Sequence, residues 1–168
     1  EHRRLQPEPR PARGRGGAHA ARSGRQPRAL APVVVDLPAR QIVWDGKSVG
    51  AWAKELEGAD AVINLAGRSV DCRYNAANRR AIYESRLLPT RVIGAAIAQC
   101  AQPPRVWLNA SSATIYRDAL DRPMDETTGE FGDGFSVDVC HQWERALNEA
   151  ETPRTRKVAL RTAMVFGA

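Results

Sequence analysis

Polar residues close three short apolar runs in this chain of 168 residues, at positions where a ligand could bind. The closing segments are Asn64-Leu65-Ala66-Gly67, Asn109-Ala110-Ser111-Ser112 and Leu160-Arg161-Thr162. Taken singly, each segment is also explained as a turn, because Asn, Gly and Ser are ordinary turn formers. Three such segments in register favour a binding site, since ligands of parallel α/β sheets bind beyond the carboxyl ends of the strands.

Alternating strands and helices are predicted to position these residues. Three continuous apolar runs are typical of strands buried in a parallel sheet: residues 61–66, 105–110 and 157–161. Helices are predicted over residues 75–101, where Pro89 should kink or divide the helix, and near residues 135–150. Strands separated by helices of this length predict an α/β fold with a doubly wound parallel sheet.

Two short strands and a short helix are predicted before residue 61. Residues 33–35 and 41–44 are β-branched or aromatic runs bounded by turn residues. Ser48 is predicted to cap a helix that runs to about Glu57. We therefore expect one folded domain over residues 33–168.

Residues 1–32 differ sharply from the rest of the chain. They contain eight arginines against Glu1 and Glu8, which accounts for the entire formal charge of +6, so residues 33–168 are neutral overall. Their large apolar residues are Leu5 and Leu30 alone, which predicts a disordered basic tail. The segment is either a genuine tail or a frame-shifted stretch. No nucleic-acid interface is expected on the folded part.

Composition also excludes several classes of protein and of site. No apolar run approaches the ~20 residues that a membrane-spanning helix needs, so no membrane protein is expected. The three cysteines are odd in number and form no Cys-x-x-Cys pair, which predicts reduced thiols and a cytoplasmic location. The three histidines are too scattered for a metal site, so no metal is expected.

The motifs resemble a known family when they are taken together. Residues 60–67, Ser111-Ser112-Ala113-Thr114-Ile115-Tyr116 and residues 160–167 resemble the extended short-chain dehydrogenases/reductases, which include the sugar-nucleotide epimerases and dehydratases. The chain is most similar to an atypical, epimerase-like branch of that group. The features of this branch are Trp44-Asp45-Gly46, Glu84-Ser85-Arg86 with Thr90, and Val139-Cys140 with Trp143-Glu144.

This resemblance implies NADP or NAD as cofactor, a Rossmann-like fold and roles for particular residues. Ser112 would hold a substrate carbonyl or alcohol, with Thr114 assisting, because a hydroxyl both donates and accepts hydrogen bonds. The turn at Asn64, Ala66 and Gly67 would lie alongside the adenosine ribose and phosphates of the cofactor. The other cofactor-binding positions that the resemblance suggests are Asp45, Ser111 and Arg161.

The chain departs from the family pattern in two places. The family's Tyr-x-x-x-Lys pair is replaced, because alignment on Glu144 places Ser136 at the Tyr position and Cys140 at the Lys position. Cys140 is then either a nucleophile or an inert buried thiol. The first strand and the Gly-x-x-Gly-x-x-Gly phosphate loop are also not recognisable, since Gly14-Arg15-Gly16-Gly17 follows no strand.

These features predict a partial NAD(P)-binding domain of an epimerase-like oxidoreductase. Its substrate would be a small carbonyl or sugar-like compound, and the 168-residue chain by itself is expected to be inactive and to bind a dinucleotide weakly or not at all. A non-catalytic dinucleotide-binding or sensor domain is an alternative, favoured by the replaced Tyr–Lys pair. Nucleic-acid binding through the arginine-rich residues 1–32 is a third interpretation.

The tail gives a direct prediction. Amide hydrogens of residues 1–32 should exchange without protection, because a segment with so little apolar surface cannot offset its conformational entropy. Hydrogen–deuterium exchange read by NMR or mass spectrometry checks this. Slow exchange over several consecutive residues of the segment would contradict it.

Overall fold

Three parallel β-strands form the sheet of the protein. The computed structural model describes residues 40–163, and in it the strands are β1 (Ala61–Asn64), β2 (Val106–Ser112) and β3 (Arg156–Thr162), in the order β1-β2-β3. The register pairs Asn64 with Asn109 and Ser112 with Thr162. The carboxyl ends of all three strands therefore meet at one edge of the sheet, which we call the carboxyl edge. The predicted Rossmann-like α/β fold and its three neighbouring strands are confirmed.

Two α-helices connect the strands. Helix α1 (Ala76–Ala98) begins at Asn75, whose side chain accepts a hydrogen bond from the Asn78 amide at 2.9 Å. Pro89 lies inside α1, which excludes the division and leaves the kink of the two predicted outcomes: one continuous buried face holds the helix together despite the missing N–H. Helix α2 spans Phe135–Asn148. Within residues 40–163, no helix is long and apolar enough to cross a membrane.

The segment before β1 differs from its prediction. Residues 41–44 form no strand, and the helix is a short 3-10 helix, Ala51–Leu56, that begins after Gly50 rather than at Ser48. Ser48 does not cap it because its hydroxyl donates instead to Asp45 at 2.6 Å. Residues 33–35, for which a strand was also predicted, lie outside the described residues, as does the tail over residues 1–32.

The core forms between the helices and one face of the sheet. Trp107 on β2 is completely buried and belongs to one cluster with residues of the 3-10 helix, α1 and α2. Asn109 and Ser111 are buried on the same face of β2, and they hydrogen-bond to residues of α1 and α2, respectively. Both helices therefore cover the face of β2 that carries Trp107.

Gly94 allows α1 to approach this core closely. A Cβ atom added at Gly94 would lie 2.9 Å from the Ala150 Cβ and 3.5 Å from the Trp107 ring. Contacts below 3.0 Å force backbone or side chains to move, and both neighbours here are packed. The small residue is thus required by the close approach of α1 to Ala150, just after α2.

We predict that Gly94→Val lowers the free energy of unfolding by about 1–3 kcal/mol, because overpacking against Ala150 displaces α1 from the core. Urea denaturation measures the loss. Ala95→Val, at the neighbouring exposed position of α1, is the matched control and should cost less than about 1 kcal/mol through helix propensity alone. Equal losses in the two variants would contradict the packing argument.

Candidate functional site

A buried hydrogen-bond network joins the strand ends to both helices. The Asn64 side chain donates to Asn109 Oδ1 at 2.6 Å and to Thr90 Oγ1 at 3.2 Å, and its Oδ1 accepts from the Ala66 amide at 3.0 Å. Trp143 Nε1 of α2 donates to the same Thr90 hydroxyl at 2.9 Å. The polar atoms of the Asn64 side chain are therefore bonded to other residues of the protein. Asn64 would act on a ligand indirectly, by fixing the turn at Ala66 and Gly67.

A second network engages two other predicted cofactor-binding residues. Arg161 donates to Glu144 through Nε at 2.9 Å and Nη2 at 2.8 Å, and Ser111 Oγ donates to Glu144 Oε1 at 2.6 Å. Arg161 Nη1 also donates to the Tyr116 hydroxyl at 2.7 Å. Burial alone would raise the pKa of Glu144, but the hydrogen bonds from Arg161 and Ser111 bring it below its ordinary value of 4.5. Glu144 and Arg161 thus form an ion pair that fixes Ser111 and Tyr116.

A cavity of about 280 Å³ lies at the carboxyl edge, and we call it the hydroxyl cavity. Both predicted catalytic residues line it: Ser112 ends β2, and Thr114 lies in the 3-10 turn that follows. Their hydroxyl oxygens are 2.8 Å apart, so one proton is shared between them and the other remains for an acceptor. Ser136 and Cys140 of α2 line the same cavity, although 24 or more residues separate them from Ser112.

Cys140 lies in an environment that disfavours a thiolate. The side chain is 4% exposed, and burial, followed by the negative charge of Glu144, raises the pKa of its thiol. A nucleophilic cysteine needs a lowered pKa, so this environment favours the inert thiol of the two interpretations.

Arg86 of α1 supplies the positive charge of the hydroxyl cavity. Its guanidinium is half-buried, lies over the Trp143 ring at 5.2 Å, and donates to the backbone carbonyls of Ile82 and Arg68. Burial lowers the pKa of Arg86, and no carboxylate pairs with it within residues 40–163. Gly67 lies against it, because a Cβ atom there would be 3.4 Å from the guanidinium carbon.

Asp45 is the predicted site residue with a separate structural role. Its carboxylate accepts hydrogen bonds from the Ser48 hydroxyl and from the amides of Lys47 and Ser48, which lower its pKa to about 2. These bonds shape the entry into the 3-10 helix. Asp45 does not line the hydroxyl cavity, and neither do Asn64, Ala66, Gly67 or Arg161.

A wider cavity of about 750 Å³ adjoins the hydroxyl cavity and shares Thr114, Phe135 and Ser136 with it. Tyr74 and Phe135 meet edge to face at 5.1 Å along its wall, and the Arg79 guanidinium lies 4.5 Å from the Phe135 ring. Together the two cavities give the carboxyl edge room for a ligand larger than the hydroxyl cavity alone.

Arg86 and Thr90 belong to the sequence motifs that resemble the family, but neither was expected to have a role. Their spacing in the sequence is the signal that could have identified them. Ile82, Arg86 and Thr90 follow each other at intervals of four residues, which places a charge and a hydroxyl on the same face of α1 as a buried isoleucine. A charged residue on such a face calls for a partner or a ligand.

The Glu144–Arg161 ion pair should make the free energy of unfolding depend on pH. Glu144→Gln should lower the free energy of unfolding by about 1.5–3 kcal/mol at pH 7, because a charged hydrogen-bond acceptor is lost. The folded-state pKa of Glu144 is lowered, so this stabilisation is present above the ordinary pKa and disappears as pH falls through the folded value. The difference between wild type and variant should therefore shrink below about pH 4.

Urea denaturation between pH 3 and pH 7 measures this difference. Glu149→Gln, at an exposed position near the end of α2, is the control and should change stability by less than about 0.5 kcal/mol. A constant difference across the pH range would exclude the ionised Glu144 as its source.

Comparison with known proteins identifies the family of this site. The sequence model of the NAD dependent epimerase/dehydratase family matches residues 19–167. An epimerase family protein of Mycobacterium leprae is 31% identical over 129 residues, which cover 76% of this chain and 41% of that protein. The chain spans about two fifths of the length of the curated relatives it matches.

Solved structures give the same assignment. The crystal structure of human epimerase family protein SDR39U1 with NADPH is 29% identical, covers 65% of this chain and 39% of that chain, and has a TM-score of 0.56. The nucleoside-diphosphate sugar epimerase from Corynebacterium glutamicum is 31% identical, covers 71% of this chain and 24% of that chain, and also has a TM-score of 0.56. The predicted family is thereby confirmed, and the chain belongs to the NAD dependent epimerase/dehydratase family.

Proposed function

We propose that the carboxyl edge binds NADP or NAD and that the hydroxyl cavity receives the carbonyl or alcohol group of a small carbonyl or sugar-like substrate. The observation that carries this proposal is the Ser112–Thr114 hydroxyl pair, 2.8 Å apart, in a cavity at the ends of parallel strands. Family membership and the NADPH-bound human relative support the choice of cofactor. In this proposal the chain is the NAD(P)-binding part of an epimerase-like oxidoreductase of the short-chain dehydrogenase/reductase type.

The hydroxyl cavity is large enough for a small substrate but too small for a whole dinucleotide. About 280 Å³ is at the lower limit of small-molecule pockets, enough for one ring or a small substrate. The turn at Ala66 and Gly67, fixed by Asn64, would pass the remainder of the dinucleotide along the carboxyl edge. A bound nicotinamide would supply hydride transfer, and the residues of the cavity would orient the reacting oxygen.

Ser112 and Thr114 can hold that oxygen in either redox state. Their hydroxyls can donate to a carbonyl and accept from an alcohol, and the bond between them keeps both aligned. Ser136 adds a third hydroxyl from the first turn of α2. These groups position the oxygen, but none of them replaces a Tyr–Lys proton relay at neutral pH.

A non-catalytic dinucleotide-binding or sensor domain is the second candidate. It is favoured by Cys140, which alignment on Glu144 places at the family's Lys position and whose thiol pKa is raised by burial. A neutral thiol cannot lower the pKa of a neighbouring proton donor as an ammonium does. The two candidates share a cofactor site and differ in whether a carbonyl compound binds beside it.

Weak dinucleotide binding is expected of the 168-residue chain. Its sequence contains no Gly-x-x-Gly-x-x-Gly segment, so we expect the pyrophosphate to lack the cradle of backbone amides that such a loop supplies at a helix N-terminus. NMR titration of the ¹⁵N-labelled chain with NADPH and NAD should shift the amides of Gly67, Ser112 and Thr114, with dissociation constants well above the low micromolar range. Unchanged amides at these positions would refute the proposed site, and a low micromolar constant would refute the argument about the phosphate loop.

Glyceraldehyde separates the two candidates in the same experiment. For the oxidoreductase domain it should shift the amides of Ser112 and Thr114, and Ser112→Ala should weaken its binding about fivefold, the value of one hydrogen bond. Ser69→Ala, at an exposed position outside the cavity, is the matched control and should leave the affinity unchanged. A chain that responds to dinucleotide but not to the aldehyde would favour the sensor domain.

A further inference from the structure

Two arginines near the carboxyl edge, Arg86 and Arg161, differ in the groups that surround their guanidinium charges. The guanidinium of Arg161 is neutralised by the Glu144 carboxylate, which accepts from both Nε and Nη2. Arg86 is half-buried as well, but among the described residues it meets backbone carbonyls, the Ser85 hydroxyl and the Trp143 ring instead of a carboxylate. Buried charges are normally paired, so Arg86 lacks the counter-charge that Arg161 has.

The hydrogen-bond capacity of Arg86 is only partly used. A guanidinium has five N–H donors. The described contacts occupy both donors of Nη1, on Ile82 and Ser85, and one donor of Nη2, on the Arg68 carbonyl. The Nε–H and one Nη2–H remain, and two donors are the number that a bidentate carboxylate takes.

The surroundings of this guanidinium suit an anion with a neighbouring oxygen. Among the described residues that line the hydroxyl cavity, none is acidic, and four carry hydroxyl groups: Ser111, Ser112, Thr114 and Ser136. The Glu144 carboxylate, which bonds to Ser111 of the cavity wall, is already paired with Arg161. A ligand could thus place an acidic group on Arg86 and a carbonyl or alcohol oxygen on the Ser112–Thr114 pair.

We propose that the substrate taken by the hydroxyl cavity is a small carboxylic acid that also carries a carbonyl or alcohol group. Its carboxylate binds the Nε and Nη2 donors of Arg86, and its second oxygen binds the hydroxyls of Ser112 and Thr114. The inference rests on the proposed function, whose substrate class it names. A single monoanionic group matches the one uncompensated positive charge, whereas a phosphate dianion would be left with excess negative charge.

Pyruvate, its uncharged methyl ester and inorganic phosphate are suitable probes, each titrated into the ¹⁵N-labelled chain without dinucleotide. Pyruvate should shift the amides of Gly67, Ser112 and Ser136 with a dissociation constant at least tenfold lower than that of the ester. Equal affinity for acid and ester would overturn the proposal. So would tighter binding of phosphate than of pyruvate at the same amides.

Variants locate the charge that is responsible. Arg86→Gln should weaken pyruvate binding at least tenfold and leave the ester unaffected, while Arg86→Lys, which keeps the charge but not the paired donors, should fall between. Arg91→Gln, at an exposed position of the same helix, is the matched control and should bind as wild type does. Wild-type affinity in Arg86→Gln would refute the assignment. Should that variant not fold, the comparison of acid and ester on the unaltered chain still decides.

The outcomes also separate this inference from the proposed function. Pyruvate binding without any response to NADPH or NAD would refute the proposed dinucleotide site and support the carboxylate site at Arg86. A response to the dinucleotide without binding of pyruvate would refute the carboxylate site alone.

Discussion

The hydroxyl of Thr90 is the one polar group on which the arrangement of this structure depends. The residue is completely buried, and its oxygen lies within hydrogen-bond distance of β1, β2 and α2 through Asn64, Asn109 and Trp143, while it also bonds the Arg86 carbonyl of its own helix. An unpaired buried polar group costs about 1–3 kcal/mol, so each of these elements is held in the position that satisfies the others. The network therefore fixes where two strand ends and two helices meet.

The site is a consequence of that meeting. Because Trp143 must reach Thr90, α2 lies where Ser136 and Cys140 face the end of β2, and Glu144, one residue further along, reaches Ser111 and Arg161. Arg86, one helical turn before Thr90, is carried to the same cavity. The buried network determines the positions of the two helices. The cavity is the space that remains between them.

Sequence periodicity predicted the sheet because burial in a parallel sheet demands apolar runs, and residues 61–66, 105–110 and 157–161 have that character. It could not predict the network, whose partners are 19 to 53 residues apart and have no shared spacing. Ser48 shows the same limit locally, since the serine fits a cap but bonds to Asp45 instead. Pro89 shows the opposite case, where tertiary packing keeps a helix that local preference would break.

Residues that build the carboxyl edge and residues that can still bind a ligand are therefore different sets. Asn64, Asp45 and Arg161 have the types expected of ligand contacts, but their polar atoms are used by neighbouring residues of the protein. Ser112, Thr114 and Arg86 line a cavity; the two hydroxyls keep one unused proton between them, and Arg86 keeps two N–H donors that the described contacts do not use. Residue type and strand position identify Arg161 and Ser112 alike, because both stand at the carboxyl edge, whereas Arg86 lies on α1 and was not identified. What distinguishes a binding residue here is the hydrogen-bonding capacity that remains after the fold is satisfied, and that quantity is fixed only by tertiary structure.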